Sequence, residues 1–166
     1  RKLAMAGVLV AVAVAGSLFS FPVAGSKCAP VQHMVNICGA IFLGPAWSVG
    51  VAFCASVIRN LTGLGSLMAF PGSMIGAFCC GLVYAKFKNL AMTCTAEALG
   101  TGILGGLCAY PIAKLLMGLV PEAVTVYIIP FLISTVAGSI LAFIVMEILQ
   151  KNGMLVKMQQ TIQMEQ

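Results

Sequence analysis

The sequence has no aspartate, a single histidine and only 8% charged residues. A soluble domain carries about 25% charged residues because its surface must meet water. Nine Lys+Arg and four acidic residues cannot clothe a globule of 166 residues. The formal charge of +5 is not gathered into a stripe that a phosphate backbone could follow, which argues against nucleic acid. The chain lacks a glycine-rich loop ending in Gly-Lys-Ser or Gly-Lys-Thr, excluding ATP hydrolysis by that route. It also lacks a CxxC pair and an HExxH helix, and a lone His without Asp supplies no Ser-His-Asp set. No catalytic residues are expected, and binding and movement of a solute is the natural alternative to chemistry.

What is present is apolar: 61% of residues are hydrophobic and the mean hydropathy is +1.08. A bilayer span takes about 20 helical residues, so this length allows about six spans with short connections. Six stretches emerge between Gly, Pro and charge clusters: Leu3–Ser20, Val31–Leu43, Ala46–Leu61, Phe70–Tyr84, Leu90–Tyr110 and Val124–Leu149. The first has basic flanks at Arg1 and Lys2 but no small-x-small cleavage site that precedes a soluble mature region, and reads as a span rather than a cleavable signal. Gly44-Pro45 divides the second stretch from the third. Merged, Val31 to Leu61 would run roughly 45 Å, too long for ~30 Å of hydrocarbon.

The positive-inside rule favours the division. With six spans, Arg1, Lys2, Lys86, Lys88, Lys151 and Lys157 fall inside, against Lys27, Arg59 and Lys114 outside. Merging the pair leaves four inside and five outside. The expected architecture is therefore an all-α membrane protein: a six-helix bundle over residues 1–150, both termini cytoplasmic, and a short polar tail over 151–166. The tail is Gln-rich and reads either as a helical extension or as a disordered end, with Glu122, Glu147 and Glu165 solvated or interfacial.

Most of the seven cysteines fall within spans, where Cys behaves as a small hydrophobe. Cys28, with His33 five residues on, is a weak metal-site signal, and no metal is expected. Gly7, Ala11 and Ala15 recur every fourth residue, forming a small-residue stripe that lets another helix approach, from this chain or from a partner. Gly72/Gly76 and Gly102/Gly106 read as internal packing sites.

Polar groups at membrane depth are costly and therefore informative. Glu97 lies seven residues into the fifth stretch, with Arg59 or His33 as candidate partners. Arg59 and Asn60 end the third stretch, where snorkelling to the interface is the plain alternative. His33 and Asn36 lie one turn apart at the start of the second. Phe19, Phe21, Phe70, Tyr110 and Tyr127 cluster at the same outer end, whereas Trp47 falls at the inner turn as an interfacial anchor. Polar groups converging with aromatics describe a pocket for a small, flat, weakly polar ligand.

Several segments carry a resemblance: Lys27-Cys28-Ala29-Pro30-Val31-Gln32-His33, Leu43-Gly44-Pro45, Arg59-Asn60-Leu61, Ala69-Phe70-Pro71-Gly72-Ser73-Met74-Ile75-Gly76 and Glu97-Ala98-Leu99-Gly100-Thr101-Gly102. On these the chain resembles the substrate-binding S components of energy-coupling factor (ECF) transporters, of the thiazole-specific ThiW type. The resemblance implies a six-helix fold in a prokaryotic plasma membrane that captures hydroxyethylthiazole, a thiamine precursor, from outside. It implies a coupling subunit docked on Gly7, Ala11 and Ala15, and two ATPase subunits that use the ATP, so this chain needs no cofactor. It further implies roles: Phe70 and Tyr110 sandwich the ring, and His33, Asn36 and Asn60 hydrogen-bond it. Glu97 and Thr101 line the floor, Arg59 orients Glu97, and the Phe21–Pro30 loop acts as a lid. The competing readings are an S component for thiamine or its pyrimidine moiety, and a membrane assembly subunit with no ligand.

Overall fold

Prolines open the helices Pro30–Phe42 and Pro45–Leu61, at a position where a missing N–H costs nothing. The computed structural model describes residues 1–23 and 26–163. α1 (Lys2–Gly16) runs into a 3₁₀ turn at Ser17–Phe19 and then a short antiparallel hairpin, β1 (Phe21–Val23) and β2 (Ser26–Cys28), with Phe21 opposite Cys28. The helices that follow are α2 (Pro30–Phe42), α3 (Pro45–Leu61) and α4 (Ala69–Phe87). α5 (Leu90–Leu99), a π-helical stretch (Gly100–Gly105) and α6 (Gly106–Leu115) then form one continuous rod, followed by α7 (Ile128–Lys151) and α8 (Met154–Gln163).

The split at Gly44-Pro45 is real. Gly44 has φ +89° and ψ 177°, a region essentially reserved for glycine, and Pro45 starts the next helix. Four helices are long and apolar enough to cross a membrane: Lys2–Phe19, Ala69–Phe87, Leu90–Leu115 and Ile128–Lys151. α2, with 13 residues, is shorter than a span, and the reason lies in its surroundings. It packs against α7, α4, α3 and α1, and 11 of its residues are buried. A helix shielded from lipid by protein need not match the hydrocarbon thickness. The outer faces carry the opposite character: Ile129, Ile133, Val136, Ile140 and Ile144 form an exposed apolar row along α7, a surface suited to lipid.

The all-α expectation is modified by the hairpin, which lies within the predicted lid; Ala24 and Gly25 of that lid fall outside the described residues. The fifth helix continues past Tyr110 to Leu115 with Pro111 inside it. The sixth begins at Ile128 rather than Val124, after turns that end at Tyr127. Of the tail, Met154–Gln163 is helical, whereas Glu165 lies outside the described residues.

α8 folds back beneath one end of the bundle. Gln159 Nε2 donates to Ile41 O at 3.2 Å and to Tyr84 Oη at 3.1 Å, and Arg1 Nη1 donates to Thr161 O at 3.1 Å. Ile162 is buried in the main core with Val35, Ile41 and Met146. Gln159→Ala is expected to destabilise the fold by about 1 kcal/mol, the net worth of half-buried neutral hydrogen bonds, read by thermal denaturation. At the opposite end, Lys27 Nζ donates to Gly63 O at 3.1 Å, tying the hairpin to the α3–α4 loop.

Candidate ligand-binding site

Beneath the hairpin lies a pocket enclosing about 430 Å³ of atom-free space, including its open mouth. Its walls come from six elements. The hairpin gives Ser26 and Lys27, α2 gives Gln32 and His33, and α3 gives Arg59. α4 gives Gly72 and Ser73, the π-helical stretch gives Thr101, and α7 gives Phe131 and Ser134.

The floor is a polar cluster centred on Glu97, which is fully buried. Three donors converge on its Oε1: His33 Nδ1 at 3.0 Å, Asn36 Nδ2 at 2.9 Å and Thr101 Oγ1 at 3.0 Å. Asn36 Nδ2 also donates to Ser73 O at 3.0 Å, and Thr101 Oγ1 to Gly72 O at 3.1 Å, so the cluster binds α2 and the fifth helix to α4. Local sequence explains the convergence. Gly76 leaves α4 without a side chain at this level: a Cβ there would lie 2.7 and 2.8 Å from the two Glu97 oxygens and closer still to Thr101 Oγ1. The widened π turn carries Thr101 at its start, a use of π geometry common at functional sites. Gly138 performs the same service on α7, where a Cβ would stand 2.7 Å from His33 Cβ. Glu97 Oε2 and Asn36 Oδ1 have no hydrogen-bond partner among the described residues.

His33, Arg59 and Thr101 line the pocket, and Glu97 and Asn36 are hydrogen-bonded to that lining. Four expectations change. Arg59 does not orient Glu97: its Nη1 donates to Gln32 Oε1 at 2.9 Å, and His33 takes the carboxylate. Asn60 points its amide to Ser56 O (2.8 Å) and Ser66 O (3.1 Å), closing the end of α3 instead of lining the pocket. Phe70 packs against Phe53, ring centroids 5.8 Å apart, and Phe53 is an exposed residue of α3. Neither Phe70 nor Tyr110 lines the pocket; the aromatic wall is Phe131, packed in a cluster with Met68, Ala109, Ala113 and Tyr127.

Phe131 and Ser134 were not singled out from sequence, and Gln32 entered only as part of the segment that leads into His33. For α7 a signal existed: Tyr127, Phe131, Ser134 and Gly138 follow one another at helical spacing on one face. Cys28 and His33 do not converge. The Cys28 thiol donates to Pro130 O at 3.2 Å, and burial pushes it above its ordinary value, away from the thiolate a metal would need. Ala29 N donates to Ser134 Oγ at 2.9 Å, so the hairpin's exit is also anchored to α7.

On α1, Ala6, Leu9, Ala13 and Gly16 face the core, whereas Gly7, Ala11 and Ala15 are exposed. A Cβ on Gly7 would meet nothing within 4 Å. The small-residue stripe is therefore not used by the chain's own helices. By contrast Gly72 abuts Phe131, Gly102 abuts Leu132 and Gly106 abuts Ile128, as internal packing requires.

A family model described as thiamine-precursor transporter protein (ThiW) matches residues 3–152. No curated protein and no solved structure gives a match.

Proposed function

This chain belongs to the ThiW family of thiamine-precursor transporters, and we propose that it is the S component of an ECF transporter, capturing hydroxyethylthiazole from outside. The observation that carries this reading is the pocket itself: a small cavity with one aromatic wall, a hydrogen-bonding floor and a hairpin across its mouth, embedded in an apolar bundle. Phe131 supplies a face for a flat ring, and Thr101, Ser134 and His33 supply hydrogen-bonding groups near it. Six helices cross the membrane with the pocket end outside. Arg1, Lys2, Lys86, Lys88, Lys151 and Lys157 then face the cytoplasm, in keeping with the positive-inside rule.

Purified protein in nanodiscs should bind hydroxyethylthiazole saturably in a calorimetric titration, more tightly than thiamine or the hydroxymethylpyrimidine precursor. Tighter binding of either competitor would reassign the substrate. Absence of binding by all three would leave an assembly subunit as the better reading.

The exposed face of Gly7, Ala11 and Ala15 is the docking surface for the coupling subunit, since small residues allow the close helix approach that drives association in lipid. ATP is used by the partner ATPases in the prokaryotic plasma membrane complex. Ala11→Leu with Ala15→Leu is expected to leave thiazole affinity within about twofold while abolishing co-purification with the coupling subunit; open lipid-facing space accommodates the added side chains, but a close helix interface does not. Unchanged co-purification would move the docking surface elsewhere.

A further inference from the structure

Arg59 is only 2% exposed, yet it has no counter-charge. Among the described residues the ion pairs are His33–Glu97 and Lys151–Glu147, and no carboxylate lies within 4.0 Å of the guanidinium. Snorkelling accounts for an Arg whose head reaches water, not for one buried to this degree. Its Nη1 is held by Gln32 Oε1, while its Nε has no partner among the described residues. Gln32, also 2% exposed, spends its oxygen on Arg59 and leaves Nε2 without a partner. Both side chains line the pocket, and so does Lys27, whose ammonium donates to Gly63 O. This end of the pocket thus offers donors and positive charge without an acceptor to match. Glu97 receives His33, Asn36 and Thr101 on its Oε1, and no hydrogen bond joins it to Arg59 among the described residues.

We infer that the Gln32–Arg59 end of the pocket is a subsite for an anionic arm on the ligand's small ring, a carboxylate or a phosphate ester. The inference rests on reading this pocket as the thiamine-precursor site. The chemistry is that of complementary counts. A hydroxyl offers two lone pairs, whereas a carboxylate offers about four acceptor sites and a charge. Arg59 Nε, Gln32 Nε2 and Lys27 Nζ together can engage more than one oxygen, and the planar guanidinium suits carboxylate and phosphate geometry. Gln32 acts as the positioning residue: its carbonyl fixes the guanidinium plane, and its amide adds a donor.

The test compares three probes on purified protein in nanodiscs: hydroxyethylthiazole, its monophosphate, and 4-methylthiazole-5-acetate. At least one anionic probe is expected to bind about tenfold or more tighter than the alcohol, the factor of a single charge-assisted hydrogen bond. Arg59→Gln should weaken the anions at least tenfold more than it weakens the alcohol, and Arg59→Lys should keep part of the preference. The thermal midpoint of each ligand-free variant checks that it is folded, and equal losses of alcohol and anion binding in a folded Arg59→Gln would overturn the subsite. If the alcohol binds the wild type as tightly as both anions, or if the preference survives Arg59→Gln, the anionic subsite is overturned and the thiazole site stands. If no probe binds the wild type, the thiazole reading falls, and this subsite with it.

Discussion

Gly76→Ala is expected to abolish thiazole binding and to lower the thermal midpoint by roughly 6–12 °C, about 3 kcal/mol for a chain of this size. One methyl group has this effect because of what it meets. The new Cβ would lie under 3.0 Å from both carboxylate oxygens of Glu97 and against Thr101 Oγ1. Neither neighbour can retreat freely: Glu97 is held by three donors, and Thr101 is hydrogen-bonded to Gly72 O on the same helix as the substituted residue. Overpacking alone costs about 1–3 kcal/mol. Displacing the carboxylate adds the loss of charge-assisted hydrogen bonds worth about 1.5–3 kcal/mol each. Gly7→Ala is the matched control. Its Cβ enters open space, so it should raise the midpoint slightly through helix propensity and leave binding intact. Equal responses at Gly7 and Gly76 would remove the polar cluster from its place at the centre of the site.

The contrast between these two glycines marks what the sequence could and could not disclose. Hydropathy and glycine-proline punctuation placed every long helix and the break at Gly44-Pro45, because lipid imposes length and composition directly. Scarcity of charge made Glu97 conspicuous, and with one histidine available the His33–Glu97 pair was among the few pairings open to it. Facing was harder. Phe70 and Tyr110 lie at the right height along the bundle but on the wrong side of their helices, and height is all that a span assignment determines. The rotation of a helix follows from its smallest residues, which fix where neighbours come closest. Gly72 meets Phe131 across α4 and α7, and that contact selects Phe131, not Phe70, as the pocket aromatic. Arg59 and Gln32 are 27 positions apart on different helices, so their bond had no local signature. The stripe on α1 was visible as a pattern, but its exposure was not.

Glu97→Ala is expected to cost about 3–5 kcal/mol, the penalty for breaking a buried pair by removing one partner. His33 Nδ1 would then lose its one assigned acceptor, while Asn36 and Thr101 keep Ser73 O and Gly72 O. The damage should therefore concentrate on α2, whose start carries both His33 and Gln32. Thiazole affinity should fall at least tenfold even where the protein remains folded, because a loosened His33 no longer holds that wall of the pocket. Glu97→Gln retains an oxygen where the three donors converge and should cost less than half as much. If instead Gln proves as damaging as Ala, the negative charge rather than the acceptor geometry is what the cluster requires. A cycle of Glu97→Ala, His33→Ala and the double variant isolates the pair. The double variant should be less unstable than the sum of the singles, since the second deletion removes a group already orphaned. Glu147→Ala provides the scale at the other extreme. Its pairing with Lys151, at 3.8 Å and largely exposed, should be worth under about 1 kcal/mol. Two glutamates in one chain would then differ severalfold in cost, and the difference follows from burial: the exposed carboxylate can turn back to water, while the buried one leaves its donors with nothing to replace it.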